Sequence, residues 1–467
     1  MQSVKRIFQN PLISFFFAFV IASVYYFETY ILERAQFGFL MLSVITLFAC
    51  SLHLIYISKL KLSYLFVLGL IFRLIFLLAI PNLSQDFYRF IWDGRMLFGG
   101  DNPFLSTPMQ FLKEGKYPVN DALELFNGMG NLNAKHYTNY PPISQFCYWL
   151  ASIFGSESIL ISVIFLRLQI IAADIGTYFV GKKILAILKL PQRQILLYFL
   201  NPFIIIELTG NLHFEAVMVF LLVLSVYFLL QKKHILAAVA FALSVSTKLT
   251  PLLFLPVFVL FFYEKPLSLD FFKSKALLKY VVFCILVFVT VLLTFLPFVD
   301  IEFYNNYASS VGLWFQNFEF NASIYYVIRW LGYKVVGWNI IGTVGKVLPI
   351  VVFVVAILFS LFRNNFKPRV LMETMLFSYV VYLLLATTVH PWYLSIPLAL
   401  AVFTKYKFML VWSCTMFLSY ASYKVTGFDE NLYLVFVEYV LVLLVFLFEV
   451  KRKKLSSLFL NKKTASI

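Results

Sequence analysis

The sequence predicts an all-α, polytopic membrane protein, and three observations carry that prediction. Of 467 residues, 62% are hydrophobic and 13% charged, with a mean hydropathy of +0.87; soluble globular chains carry roughly 45–50% and about 25%. Apolar runs of about 18 residues or more recur from end to end, the length a helix needs to cross a bilayer. These runs do not alternate in polarity, which excludes a membrane barrel built from segments of about ten alternating residues. The net charge of +16 would suggest nucleic acid in a soluble protein. Here it falls in short connections: Lys5/Arg6, Lys59/Lys61, Lys182/Lys183/Lys189/Arg193, Lys232/Lys233, Lys265/Lys273/Lys275/Lys279, Arg363/Lys367/Arg369, Lys405/Lys407 and the tail from Lys451 to Lys463. These hold 25 of the 38 Lys and Arg and mark the cytoplasmic side, so the charge reports topology and no nucleic-acid partner.

The elements follow in order from that rule. Lys5 and Arg6 precede an apolar run as in a signal peptide, but no small-residue cleavage site follows, so 11–32 is the first span. It runs outward, 37–58 returns, and 62–80 runs outward again. Residues 81–157 then form the longest polar interruption, an extracytoplasmic loop too long for a plain connection. Within it 143–155 is apolar but too short to span. The spans 158–180, 194–209 and 213–231 follow. The stretch 235–263, split at Lys248-Leu249-Thr250-Pro251, makes two short crossings that keep the next basic cluster inside. After 276–299 comes a second outer loop, 300–345, then 346–362, 371–389, 391–404, 408–425 and 431–450. The expectation is one integral membrane domain over 1–467 with about 11–14 crossings and both termini cytoplasmic. Cys50, Cys147, Cys284 and Cys414 are far apart, without metal spacing, and read as small core residues.

The chemistry concentrates after the third span. Ser84 is a plausible N-cap and Gly99-Gly100-Asp101-Asn102-Pro103 a stop, so 85–98 reads as a helix. Helical spacing puts Asp86, Arg89 and Asp93 on one face, two carboxylates with a guanidinium between them. Further polar residues recur at outer ends of crossings: Tyr140, Glu207, His213, Glu215, Lys248, His390 and Tyr393. Ionisable groups placed in a membrane are costly and are functional candidates by default. Asp86 at a helix start is also what the helix dipole favours, and His53, His136 and His234 sit near surfaces. Arg73, Arg167 and Asp174 lie inside apolar runs, where they can form ion pairs between helices or line a site. Asn82-Leu83-Ser84 and Asn321-Ala322-Ser323 match the short glycosylation acceptor pattern on the outer side.

These motifs resemble the polyprenyl-phosphate-sugar-dependent glycosyltransferases of the GT-C fold. The likeness is closest to bacterial polyprenyl-phosphate-mannose mannosyltransferases and more distant to the catalytic subunit of GPI mannosyltransferase I. It rests on Asp86-x-Tyr88-Arg89-x-x-Trp92-Asp93-Gly94-Arg95, Gly100-x-Asn102-Pro103-Phe104 and Tyr140-Pro141-Pro142. Asn201-Pro202, Lys248-Leu249-Thr250-Pro251 and His390-Pro391-Trp392-Tyr393 support it, across about 80–393. The resemblance implies a catalytic acid in the first long outer loop, at Asp86. Some relatives carry Asp-x-Asp there; this chain has Ser84-Gln85-Asp86, so no such pair supports a divalent metal and no cofactor is assigned.

The resulting expectation is an inverting glycosyltransferase, a mannosyltransferase by the resemblance, moving a sugar from a polyprenyl-phosphate donor to a glycan or lipid acceptor at the outer face of a bacterial inner membrane. Asp86 would accept the acceptor's proton, with Asp93 as rival base. Arg89, Arg95, Lys248 and His390 would face the phosphate, and Tyr140, Tyr393, His213 and Glu215 would contact substrate. The alternatives are a transporter or flippase, disfavoured because no repeat is visible and the polar groups gather at one face, and a polymerase or ligase of lipid-linked glycans.

Overall fold

The computed structural model describes residues 8–316, 318–425 and 427–464, and the side chains of these except 313–316 and 453–464. The basic residues Lys5 and Arg6, and the side chains of Lys453, Lys454, Lys462 and Lys463, lie outside the described set. Among the described residues the regular structure is helical, apart from one hairpin in which Tyr423–Lys424 pairs antiparallel with Gly427–Phe428 and an isolated bridge between Phe320 and Thr388. Among the described residues seven helices are long and apolar enough to cross a bilayer: Pro11–Tyr30 (α1), Phe37–Ile57, Ile159–Ile187, Lys275–Phe298, Ile341–Phe362, Pro368–Leu385 and Leu432–Arg452. A bent pair, Ile204–Gly210 with Glu215–Leu230, would make an eighth. Five shorter apolar helices among the described residues, including Leu62–Leu74 and His234–Val245, fall where the other crossings are expected and are too short to meet the same test.

The difference from uninterrupted spans has a local cause. Pro202 cannot donate to the helix ladder, and Asn201 turns its side chain onto the neighbouring backbone, accepting from the Phe203 N–H at 2.9 Å and donating to the Leu197 carbonyl at 3.3 Å. The run expected as one span at 194–209 therefore breaks into short turns, and a 113° bend separates its last piece from the helix at Glu215. Broken helix ends inside a membrane protein leave carbonyls that protein groups must satisfy. Arg167 donates to Thr209, Gly210, Leu77 and Ala79. Arg193, expected as a plain basic-side residue, donates to Leu54, Ile55, Ser58 and Leu60 around the π-helical turn His53–Ile57. Arg73 pairs with Asp174 at 2.8 Å, and Tyr198 donates to the other carboxylate oxygen. Of the two readings open for Arg73, Arg167 and Asp174, the contacts are those of structural ties.

The first long loop folds into helices Asp86–Gly99 (α2), Pro108–Lys113 (α3), Ala122–Lys135 (α4) and Pro142–Gly155 (α5). Gln85, not Ser84, is the N-cap residue of α2; the Ser84 hydroxyl accepts only from the Asp86 N–H, at 3.4 Å. Gly100, at φ 90°, closes the helix in the left-handed region that glycine adopts without strain. Helix α5 lies against α2, with Phe90 stacked on Tyr148 at 4.6 Å. Gly94 permits the approach, because a Cβ there would meet the Tyr148 carbonyl oxygen at 2.4 Å. Helix α5 is also tied to the end of His234–Val245: Ile143 N–H donates to Ser246 and Ser144 to Thr247, both at 2.8 Å. Asn102 donates to Phe298, and Asn306, on the second loop's helix Phe303–Gln316, donates to Phe104. The Gly100-x-Asn102-Pro103-Phe104 motif thus joins the two loops.

Candidate active site

Those ties bring together residues far apart in sequence. A cavity of about 480 Å³ is lined by Asp86 and Gln85 at the start of α2, Asn133 at the end of α4, Tyr140 ahead of α5, Lys248, and His390, Trp392 and Tyr393. Arg34, Glu319, Tyr423 and Phe428 complete the wall. Tyr140, Lys248 and Tyr393 also line a second cavity of about 160 Å³ that continues among Leu249, Leu348, Val352, Tyr379 and Leu385. The first space holds Asp86, Arg34 and Glu319, the second is lined more by aliphatic and tyrosine side chains, and Asn139, Tyr140, Lys248 and Tyr393 line both.

The electrostatics around Asp86 follow from this packing. Burial pushes its carboxyl above the ordinary aspartate range, opposed by Lys248, by an Asn133 amide donating at 3.4 Å, and by Arg34. A carboxylate so poised holds a proton more readily than a free one while remaining within reach of ionisation. Burial raises the Tyr140 phenol well above its usual value, with Asp86 adding to the effect, so it stays a hydrogen-bond donor. His390 is pushed down to about 3 by burial and by the flanking charges of Lys248 and Arg34. It is therefore neutral, and offers a hydrogen bond where a cation was expected. The Lys248 ammonium sits 3.1 Å from Glu215 and 4.8 Å from the Tyr140 ring centroid.

Of the residues expected at the site, Asp86, Tyr140, Lys248, His390 and Tyr393 line this chamber, and Glu215 lines the adjoining one. His213 lies behind the wall, buried, its ring stacked on Trp392 at 3.7 Å; Trp392 in turn stacks on His390 at 4.6 Å. Asp93, Arg89 and Arg95 are placed elsewhere. Asp93 is fully buried, accepting from Arg89 at 2.7 Å and from Gln145 at 3.0 Å. Arg89 also donates to the Asn133 and His136 carbonyls, and Arg95 holds Asn120, Asp121 and Gly155. The face shared by Asp86, Arg89 and Asp93 divides: its first residue meets the chamber and the other two pin α2 to α4 and α5. Among the described residues no group of three His, Cys, Asp or Glu side chains stands together to hold a metal. Asn321 is fully buried, so its acceptor pattern is closed to modification.

Arg34, Asn133, Glu319 and Tyr423 were not anticipated. Arg34 did leave a signal, being a lone cation in the short turn between the first two apolar runs. The others carry no local mark, since only tertiary packing brings them to the cavity.

No curated protein sequence matches the chain. Residues 23–264, 242 of the 467, match the model of the MptA_B family, described as alpha-(1->6)-mannopyranosyltransferase, N-terminal domain. The matched segment holds Arg34, Asp86, Tyr140, Glu215 and Lys248, while His390, Tyr393 and Tyr423 lie beyond it. The chain belongs to the MptA_B mannosyltransferase family and is an integral membrane glycosyltransferase.

Proposed function

We propose that the enzyme moves mannose from a polyprenyl-phosphate donor to a glycan hydroxyl, with inversion, in the chamber beside Asp86. The observation that carries this reading is the junction at Asn139, Tyr140, Lys248 and Tyr393, where a chamber holding Asp86, Arg34 and Glu319 meets a cavity that continues among Leu249, Leu348, Val352 and Leu385. A donor with a sugar phosphate head and a hydrocarbon tail fits such a junction. Asp86 accepts the acceptor's hydroxyl proton as oxygen forms its bond to the anomeric carbon. The carbon–oxygen bond to phosphate breaks, and its electron pair leaves on the lipid phosphate. Tyr140, Tyr393 and neutral His390 supply hydrogen bonds. The family description specifies α-(1→6) transfer, which would make a primary C6 hydroxyl the attacking group.

The proposed side is extracytoplasmic, with loops 81–157 and 300–345 facing outward. Support comes from Ile159–Ile187, which begins beside the loop helix α5 and carries Lys182 and Lys183 toward its other end. At 1.5 Å per residue, its 29 residues separate those ends by about 43 Å. The basic residues thus sit a bilayer away from the loop.

The test uses membranes containing the protein and polyprenyl-phosphate mannose, comparing Asp86→Asn with Asp93→Asn. Asp86→Asn should lose at least about a hundredfold in kcat with the protein still folded. Asp93→Asn should lower the amount and thermal midpoint of the enzyme more than the turnover of what survives. Full transfer by Asp86→Asn would sink the assignment.

A further inference from the structure

The charges lining the chamber are paired or neutral with two exceptions, the partners coming from just outside its lining. Lys248 is paired with Glu215, Glu319 with Arg329, and His390 is neutral. Asp86 and Arg34 remain. Among the described arginines, Arg73, Arg89, Arg95, Arg329 and Arg363 each meet a carboxylate. Arg167, Arg193 and Arg369 bind backbone carbonyls. Exposed Arg452 aside, only Arg34 has neither, and its Nε is buried with no acceptor. Its guanidinium carbon sits 3.2 Å from the centroid of the Tyr423 ring and 5.9 Å from that of Tyr420. Stacking fixes the guanidinium in place, and its hydrogen bond to the Tyr423 hydroxyl occupies only part of its set of N–H donors.

We infer that Arg34 is the residue that holds the phosphate of the lipid-linked donor, a role that sequence reading gave to other cations. The inference rests on the lipid-phosphate reading of the same chamber. A phosphodiester carries one negative charge. The guanidinium of Arg34, which feels the carboxylates of Asp86 and Glu207 but forms a direct ion pair with neither, answers it with a fork suited to two phosphate oxygens. Lys248 cannot supply this charge without abandoning Glu215, which is buried. As the glycosidic bond breaks, charge builds on the leaving phosphate. A fixed cation there then binds the transition state more strongly than the ground state.

Purified protein in nanodiscs would be given polyprenyl phosphate and, separately, the unphosphorylated polyprenol of the same length. Wild type should bind the phosphate more tightly than the alcohol. Arg34→Gln should weaken phosphate binding about ten- to a hundredfold and leave alcohol binding unchanged. Arg34→Lys, which keeps the charge and loses the fork, should fall between them. With polyprenyl-phosphate mannose, Arg34→Gln should lower kcat as well as raise KM. Should Arg34→Gln fail to fold, Arg34→Lys decides: several-fold weaker phosphate binding supports the role, and wild-type affinity overturns it. Phosphate binding undiminished in Arg34→Gln overturns the role of Arg34 while the lipid-phosphate reading stands. A wild type that does not distinguish phosphate from alcohol overturns both.

Discussion

The ammonium of Lys248 lies 3.1 Å from the carboxylate of Glu215, and Glu215 is buried as the first residue of a helix entered through a 113° bend. The pair joins the chamber of Asp86 to the cavity beside it, because Lys248 lines both and Glu215 the second. Removing one partner leaves a buried charge unanswered. Lys248→Met should therefore destabilise the protein by about 3–5 kcal/mol, toward the low end because Lys248 keeps some exposure. The double variant Lys248→Met/Glu215→Gln should recover much of that loss. Thermal unfolding in detergent measures both, and a double variant no more stable than the single would refute the pairing.

The pH profile of transfer should carry the signature of Asp86. A protonated carboxyl cannot act as a base, so activity is lost as pH falls through the pKa of the folded enzyme. Burial raises that pKa, so the acid limb of kcat/KM should lie above the range of an ordinary aspartate. The Asn133 amide lowers it by favouring the charged form. Asn133→Ala should therefore move the acid limb further up in pH. A limb that stays in place, or moves down, would remove Asn133 from the site.

Packing between α2 and α5 depends on a missing side chain. In Gly94→Ala the new Cβ would lie 2.4 Å from a backbone oxygen of Tyr148, which cannot swing aside. The helices must separate, at a cost of about 1–3 kcal/mol or more, and Tyr140, just ahead of α5, would move with them. Thermal midpoint and transfer rate should both fall. Gly99→Ala is the control, since the nearest atom to its Cβ would be 4.0 Å away, on Asp101. Equal behaviour of the two variants would contradict this account.

Much of the architecture follows from composition, because residues in hydrocarbon have few alternatives to helix. Helical spacing also joined Asp86, Arg89 and Asp93, but spacing assigns a face and not a neighbour. Whether the face meets a cavity or a packed helix depends on Gln145 and the α4 carbonyls, which distant segments supply. The same holds for His390. Its motif pointed to the site, while its neutral state arises from burial and from Lys248 and Arg34, brought near by folding. The break at Asn201-Pro202 was visible as a motif; the bend it produces was not, because apolar runs on either side look like ordinary spans. Arg34 shows the reverse case, a cation that stands out in the sequence between two apolar runs while its partners, Tyr420 and Tyr423, come from near the other end.

The contact between Arg34 and Tyr423 links the first turn of the chain to one near its end. The reaction chamber is thus among the last features that synthesis can complete. A nascent chain extended only through the family-matched half already carries Asp86, yet it lacks the opposing wall of His390, Tyr393 and Tyr423. A chain extended only that far therefore has Asp86 without the enclosure that raises its carboxyl's affinity for a proton.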